Sequence, residues 1–256
     1  MPFDYIDASD AKTRDGLRMV VVRGVPSPWG EAAKGIFHIK KLEWAAVALD
    51  AQDKALRAWT GSSSAPAAIN NDEKPRTGWA EILLLAERLE PQPALLPSDP
   101  AERTLVFGLG HELLGEDGLA WARRLQLVAA GLKGEGGFQG PVAPYIGSKY
   151  GYTEETGARC GARVVSLLNM LSERLSAQKA AGSGFLVGHA VSAADIYVAT
   201  TMAMFAPLSE DMCKMSSRTR AAFETFDAPT KAALDPALVA HRDMMYRDYL
   251  ETPLSL

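Results

Sequence analysis

The 256-residue sequence has few cysteines, no long apolar run and no block of positive charge. Its two cysteines, Cys160 and Cys213, form neither a CxxC pair nor a cluster with metal-ligand spacing. No segment approaches the ~18 consecutive apolar residues of a membrane span. The N-terminal stretch "MPFDYIDASDAKTRDG" carries four aspartates and lacks the apolar centre of a signal peptide. We therefore expect a cytoplasmic protein with no metal centre and no membrane partner.

The charge balance also excludes a class of partner. Lysine and arginine number 27 against 31 acidic residues, which gives a formal net charge of -4. Without a basic stripe the sequence has no electrostatic footprint for nucleic acid, so we expect a small-molecule partner. The 47% apolar content is enough to bury the core of one large or two small domains.

The N-terminal part alternates strand-like and helix-like segments. "LRMVVVRG" at 17–24 is β-branched and predicts a buried strand of a mixed or parallel sheet, and the residues from 28 to 41 then predict a helix. The pattern continues through a strand at 43–50, a short helix at 51–59, a strand at 65–72 and a helix at 75–89. The predicted order is β-α-β-α-β with a closing helix.

The segment "EPQPALLPSDP" marks a boundary, because its four prolines interrupt any regular element. Beyond it the apolar spacing is helical, after a cap at Ser98 or Asp99. A glycine-rich stretch at 131–155 is too broken to predict an element. We expect an N-terminal extension at 1–17, an α/β domain at 18–93 and an all-α helical domain at 94–256.

Ser27 opens the segment "SPWGEAAKGIF" between the first strand and the first helix. Two interpretations are open. Serine followed by proline is typical of an ordinary N-cap with proline at the first helical position. A helix N-terminus also carries unpaired N–H groups and partial positive charge, which favour a bound anion such as a thiolate.

Three segments resemble the glutathione transferase superfamily. "SPWGEAAKGIF" is similar to the Ser-Pro-Phe-Gly and Cys-Pro-Phe segments of the tau and omega classes, whose leading residue is catalytic. "SSSAPAAI" is similar to the family's Val-Pro-Val-Leu stretch, whose proline is cis. "GFLVGHAVSAADIYVAT" resembles the family's capping segment, with Ser192 and Asp195 as the N-capping pair of a buried helix.

This resemblance implies a thioredoxin-like domain followed by a helical bundle, glutathione as co-substrate, a homodimer and a role in detoxification. Ser27 would be the catalytic residue, and the backbone of Ala65, beside a cis Pro66, would pair with the peptide. The serine would donate a hydrogen bond to the thiolate, which attacks an apolar electrophile. Alternatives are a non-catalytic binding protein of the same fold and a glutathione-dependent thiol-disulfide reductase.

Other polar and aromatic residues complete the predicted site. The Glu-Ser pair that holds the γ-glutamyl group in the family has no counterpart, and "PRTGW" occupies its neighbourhood. Ser64, Arg76 and Thr77 are candidates for the peptide's carboxylates, and Trp29 for the floor of the pocket. From the helical domain we expect a further group at the substrate pocket. Its members are His111, Glu112, Trp121, Arg124 and Tyr145.

Overall fold

The computed structural model describes residues 4–256. The N-terminal elements are α1 (Ala8–Thr13), β1 (Leu17–Val21), α2 (Pro28–Ile39), β2 (Trp44–Ala48), α3 (Lys54–Thr60), β3 (Ala67–Asn70) and α4 (Trp79–Leu89). The later elements are α5 (Pro100–Leu114), α6 (Leu119–Lys133), α7 (Val142–Tyr150), α8 (Glu154–Ala180), α9 (Ala193–Thr201), a 3₁₀ turn (Met202–Met204), α10 (Ser217–Phe223), α11 (Ala228–Ala233) and α12 (Pro236–Asp248).

The three strands form one mixed sheet in the order β2-β1-β3. β1 runs parallel to β2, with Val20 opposite Val47, and antiparallel to β3, with Val20 opposite Ala67. The β1-α2-β2 unit is the crossover that parallel pairing requires. The predicted β-α-β-α-β order is confirmed, and of the two sheet types that the sequence left open, mixed or parallel, the structure has the mixed one.

Successive side chains of β1 face opposite sides of this sheet, so each face builds its own core. Val20 packs with Leu56 of α3 and Ala11 of α1 in a small cluster. Met19 belongs to the large cluster on the other face, which includes Phe37 of α2 and continues through α4 into the helical part of the chain. The first and second parts of the chain therefore share one apolar core.

The helical part begins where the proline-rich segment ends. Asp99 caps α5 by accepting hydrogen bonds from the N–H groups of Ala101 and Glu102, at 3.0 and 2.9 Å. Asp99, rather than Ser98, is therefore the cap. None of the helices between residues 4 and 256 combines the length and apolar character that a bilayer span requires.

One prediction of local structure is wrong. The sequence pattern predicts no element in the stretch at 131–155, whereas the structure has α7 there. Its glycines lie mostly before the helix or at its C-terminal cap, where Gly151 adopts a left-handed φ of 70°. The composition of the whole stretch concealed the short helix.

Residues 4–13, read from the sequence as a polar extension, pack against the sheet. Tyr5 forms a parallel bridge with Ala46, and the N–H of Ile6 donates to the Ala46 carbonyl at 2.9 Å. Ala11 is fully buried. The domain boundaries expected at residues 17/18 and 93/94 stay predictions.

Candidate functional site

Ser27 lies at the N-terminus of α2, where its backbone carbonyl accepts the N–H of Glu31 at 2.8 Å and so begins the helix. Its side chain forms no capping hydrogen bond to the first turn. The residue is only 7% exposed, yet it lines a cavity. The Ser27 hydroxyl is therefore buried at the N-terminus of α2 but does not cap this helix.

The Ala65–Pro66 peptide bond is cis, as the resemblance implied. Ala65 precedes β3 and lines the same cavity as Ser27. Within residues 4–256 neither the N–H nor the carbonyl of Ala65 has a backbone hydrogen bond. An extended peptide ligand could take both groups, as an added strand does.

The cavity that Ser27 and Ala65 share has a volume of about 300 Å³. On the helical side its lining comes from α6, from α7 with the segment before it, and from α10. Those residues are Arg124, Phe138, Gln139, Val142, Tyr145, Ile146, Lys149, Tyr150, Arg218, Thr219, Ala222 and Phe223. Thus the N-terminal part supplies the serine and a free backbone edge, and the helices supply aromatic, aliphatic and basic groups.

Arg124 is the most constrained charge in this cavity. Its guanidinium carbon lies 4.6 Å from the centroids of both the Trp29 and Tyr150 rings. It donates from Nη1 to the Tyr150 hydroxyl, and burial holds its pKa below the usual arginine value. Lys149 lines the same cavity. Burial lowers its pKa, and the positive charge of Arg124 lowers that pKa further.

Trp29 and Trp121 were both expected at the substrate pocket. Trp29 donates from Nε1 to the carbonyl of Leu114 at 2.7 Å and stacks near Tyr150, so it supports the wall behind Arg124. Trp121 meets the Tyr150 ring edge-on, with ring centroids 4.8 Å apart, and lines a separate cavity. Both tryptophans position Tyr150, and neither lines the Ser27 cavity.

His111 and Glu112 are placed away from the Ser27 cavity. His111 is exposed near the end of α5. Glu112 forms an ion pair with Arg163 of α8, with 2.5 Å between Oε2 and Nη2. These two residues therefore face surroundings different from those the sequence suggested, whereas Arg124 and Tyr145 do line the cavity.

The candidates for peptide carboxylates also lie outside the cavity lining. Arg76 pairs through its backbone with Ala68 and through its side chain with Glu73, at 3.2 Å. Thr77 is exposed, and its N–H points to the Glu81 carboxylate at 3.3 Å. Ser64 turns its N–H to the Ser62 hydroxyl at 2.9 Å.

Glu81 reaches back over the first turn of its own helix, α4. Its Oε2 accepts from the N–H groups of Thr77 and Gly78, the latter at 3.1 Å. The Glu81 carboxylate therefore already accepts hydrogen bonds from the N–H groups at the N-terminus of α4. An external carboxylate would have to displace it.

Several cavity residues were missed in the sequence. Lys149, Phe138 and Ile146 lie in the glycine-rich stretch that we interpreted as irregular, and Arg218 begins a short helix near residue 217. The sequence feature that could have indicated these residues is the spacing of the tyrosines along "PYIGSKYGY". Their alternation with small residues predicts a short amphipathic helix only once its end at Gly151 is recognised.

The two thiols lie in surroundings that suppress reactivity. Cys160 is buried and donates to the Gly157 carbonyl at 3.1 Å. Burial, reinforced by the charge of Glu31, raises the pKa of Cys213 to about 11. Thiol exchange requires a thiolate, so neither cysteine is suited to the reductase alternative.

The residues around the cavity fit glutathione in two respects. A buried hydroxyl without a capping partner is available to a thiolate, and the unpaired backbone of Ala65 is available to the peptide's own amide groups. The partial positive charge at the N-terminus of α2 favours the same anion.

The architecture defines a class of protein. A thioredoxin-like mixed sheet is joined to an all-α region, and a cavity lies between the N-terminus of α2 and the helices. More particularly, this is the fold of the glutathione transferases, shown by solved structures that match nearly the whole chain. No protein-family model matches the sequence, and neither does any curated protein.

Three of these structures illustrate the likeness. A glutathione S-transferase from Xanthobacter autotrophicus Py2 is 18% identical with a TM-score of 0.57, covering 92% of this chain and 95% of its own. One from Methylobacterium radiotolerans JCM 2831, in complex with glutathione sulfonate, is 16% identical with a TM-score of 0.60, covering 91% and 92%. A glutathione S-transferase domain-containing protein from Marinobacter aquaeolei VT8 is 16% identical with a TM-score of 0.64, covering 91% and 100%.

Proposed function

We propose that this chain is a glutathione transferase that activates the glutathione thiol at Ser27 for attack on an electrophilic small molecule. The observation that carries the proposal is the shared cavity of Ser27, whose hydroxyl caps nothing, and Ala65, whose backbone is unpaired. A cytoplasmic homodimer is part of the same proposal, on the strength of the resemblance.

The chemistry assigned to Ser27 is donation, not nucleophilic attack. A free thiol of this kind has a pKa near ~8.5, so little of it is ionised at neutral pH. A hydrogen bond from Ser27, added to the field of α2, would lower that value by about one to two units, each worth ~1.4 kcal/mol. The sulfur then adds to the electrophile, whose leaving group departs with its electron pair.

The peptide-binding set in this proposal is Ser27, Trp29, Ser64, Ala65, Pro66, Arg76 and Thr77. The position of Glu81 at the start of α4 means that the γ-glutamyl group is held differently from the family's Glu-Ser pair. Arg124 and Tyr145 are the proposed pocket residues that line the cavity, whereas His111 and Glu112 would need another arrangement.

Replacing Ser27 tests this function. Ser27→Ala should lower kcat/KM for conjugation near neutral pH by roughly 10–100-fold, because the thiolate is lost. The free energy of unfolding should stay almost unchanged, since the hydroxyl caps nothing, whereas a true serine cap costs about 1 kcal/mol. Ser27→Thr should restore much of the rate.

The control is Ser166→Ala, which removes an exposed hydroxyl on α8. Conjugation rates and urea unfolding are measured on all three variants and the wild type. Equal rates for wild type and Ser27→Ala would remove Ser27 from the mechanism.

The non-catalytic alternative is separated by binding. Glutathione at a hundred times its Kd stabilises a protein by ~2.7 kcal/mol, which raises the melting temperature visibly. Stabilisation without conjugation of any electrophile would favour a binding protein, and the absence of both would leave only the fold.

A further inference from the structure

The lining of the Ser27 cavity is positively charged. Arg124, Lys149 and Arg218 line the cavity, and the described residues of its lining include no aspartate or glutamate. In the described part of the chain, 4–256, none of these three cations has a carboxylate within ion-pair distance. A buried cation ordinarily has a paired anion, because desolvating a lone charge is costly.

The neighbouring residue, Arg123, shows how the donors of a buried arginine are usually satisfied. Arg123 is also buried, but it donates to the carbonyls of Met204, Phe223 and Thr225 and to the Gln126 side chain, at 2.6 to 3.1 Å. Its donors are used to join α6 to the chain around α10. Arg123 is a structural residue.

Arg124 lacks such partners. Only the Tyr150 hydroxyl receives a hydrogen bond from it, and its buried Nε has no partner in the described chain. The guanidinium carbon lies 4.6 Å from the centroids of both the Trp29 and Tyr150 rings, so these rings limit the movement of the guanidinium. A guanidinium so held, with spare donors and no acid, is prepared for a planar oxyanion.

The remaining wall is apolar and the volume is small. Phe138, Val142, Ile146 and Phe223 contribute aromatic and aliphatic surface. The volume of about 300 Å³ is at the lower end of the ~300–1,000 Å³ found for ligand pockets. It suits a body of one aromatic ring.

We infer that the electrophile conjugated at this cavity is a small aromatic acid, whose carboxylate or comparable oxyanion binds Arg124, Lys149 and Arg218. This inference rests on the proposed function, since it names the acceptor of that reaction. The three cations come from the helical part of the cavity lining, whereas Ser27 and Ala65 come from the N-terminal part, so we assign the anion to the acceptor and not to glutathione.

The reaction with a halogenated acid balances without a further reactant. The thiolate electron pair forms the carbon-sulfur bond at the ring carbon that bears chloride, and chloride leaves with the carbon-chlorine pair. The thiol proton passes to solvent. Negative charge that develops on the ring during addition lies in the field of the same cations.

The test uses two matched probes and two measurements. 4-Chloro-3,5-dinitrobenzoate is compared with 4-chloro-3,5-dinitrobenzamide in conjugation, each corrected for its uncatalysed rate. Binding of the unreactive 3,5-dinitrobenzoate and 3,5-dinitrobenzamide is measured without glutathione by tryptophan fluorescence. We expect kcat/KM and affinity to favour the acid by about tenfold or more, the usual worth of a charge-assisted contact.

Lys149→Met and Arg218→Met locate the anion. Lys149 is half-buried and Arg218 is exposed, so replacing either one should not disturb the core. Arg124 is buried, and Arg124→Met could disrupt the packing around it. Lys149→Met and Arg218→Met should each reduce the preference for the acid over the amide severalfold, because any effect on the charge that develops on the ring is common to both probes, whereas only the acid loses an ion pair. The KM for glutathione should stay unchanged. The control is Lys231→Met, which removes one exposed charge outside the cavity.

The outcomes separate this inference from the conjugation proposal. A binding preference for the acid that depends on Lys149, without conjugation, would support the anion cavity and contradict the enzyme. Conjugation of both probes without a preference would overturn the inference and leave the enzyme. A raised KM for glutathione in Lys149→Met, with unchanged acceptor preference, would assign the cations to the tripeptide and also overturn it.

Discussion

A single carboxylate, Asp195, joins three parts of the helical region. It is fully buried at the start of α9 and accepts from the N–H and hydroxyl of Ser192 at 2.9 and 2.8 Å. Its other oxygen accepts from the N–H of Leu186 at 2.8 Å and lies 3.2 Å from Nε2 of His241. One side chain thus joins the preceding loop to the start of α9 and lies beside His241 of α12.

Asp195→Asn should therefore destabilise the fold by about 2–4 kcal/mol, because the amide nitrogen would face donors that are then left unpaired in the core. Urea unfolding followed by circular dichroism measures this loss. Asp248→Asn serves as the control, since Asp248 pairs with Arg247 in water and its removal should change little. Equal stability of the two variants would contradict the role given to Asp195.

The sequence predicted part of this arrangement and not the rest. The spacing of Ser192 and Asp195 identified the capping pair, because that contact is local and depends on three positions of separation. Leu186 and His241 come close to Asp195 only when the chain folds, and no local sequence pattern predicts these two contacts. The same limit applies to Ser27, whose sequence context could not distinguish a capping hydroxyl from one turned into a cavity.

At the scale of elements, α7 depends on how closely the chain folds back over the end of α6. The N–H of Phe138 donates to the Leu127 carbonyl at 3.0 Å. This return leaves no room for a side chain at Gly131, where a Cβ would overlap the Phe138 carbonyl oxygen. The glycine is required by this close approach, and it sets the position of the segment that leads into α7.

Gly131→Ala should lower the free energy of unfolding by about 1–3 kcal/mol and should also weaken conjugation, because Phe138 and α7 line the cavity. Gly108→Ala is a matched control, since Gly108 is in the interior of α5 and a Cβ there meets nothing within 4 Å. It should stabilise the protein by about 0.5–1 kcal/mol through helix propensity. Thermal unfolding of both variants measures the contrast, and losses of similar size would argue against the close approach.

The elements differ in how well their sequence predicts them. β1 is buried along its whole length, α2 along most of it, and α4 has apolar residues at helical spacing; all three fall close to the predicted ranges. α7 has few buried residues, among them Ala143 and Gly147, so it has little apolar stripe to recognise. The strongest sequence signals come from core packing, whereas the cavity is lined by elements that are only partly buried.

At the scale of the whole molecule, the site depends on residues distant in sequence. Ser27, Ala65, Arg124 and Lys149 meet because one apolar core continues from the sheet into α5, α6, α8 and α9. Gly35 of α2 allows this approach, since a Cβ there would lie 2.8 Å from Leu250 and 3.1 Å from Ile196. The fold class follows from element order, but the charge of the cavity follows from three-dimensional packing alone.

A buried ion pair joins α2 to the C-terminal segment. Nζ of Lys34 lies 2.6 Å from Oε1 of Glu31 and donates to the carbonyl of Ser255 at 2.7 Å. Burial raises the pKa of Glu31 above its ordinary value of about 4.3, Lys34 opposes that rise, and Glu251 adds to it. The lysine therefore favours the ionised form of this buried carboxylate, and it also holds the end of the chain.

Replacing Lys34 should lower the free energy of unfolding, and the loss should be larger at high pH than at low pH. In Lys34→Met the folded-state pKa of Glu31 rises further above its unfolded value, so protonation relieves the buried charge at low pH. The contribution of this group is then fully present below the unfolded pKa and is lost as pH rises through the folded pKa. The variant should lose about 3–5 kcal/mol at about pH 8 and distinctly less at about pH 5, measured by urea unfolding against wild type. Adding Glu31→Gln to Lys34→Met should remove the pH dependence, and a loss independent of pH in the single variant would show that Lys34 acts only through the Ser255 carbonyl.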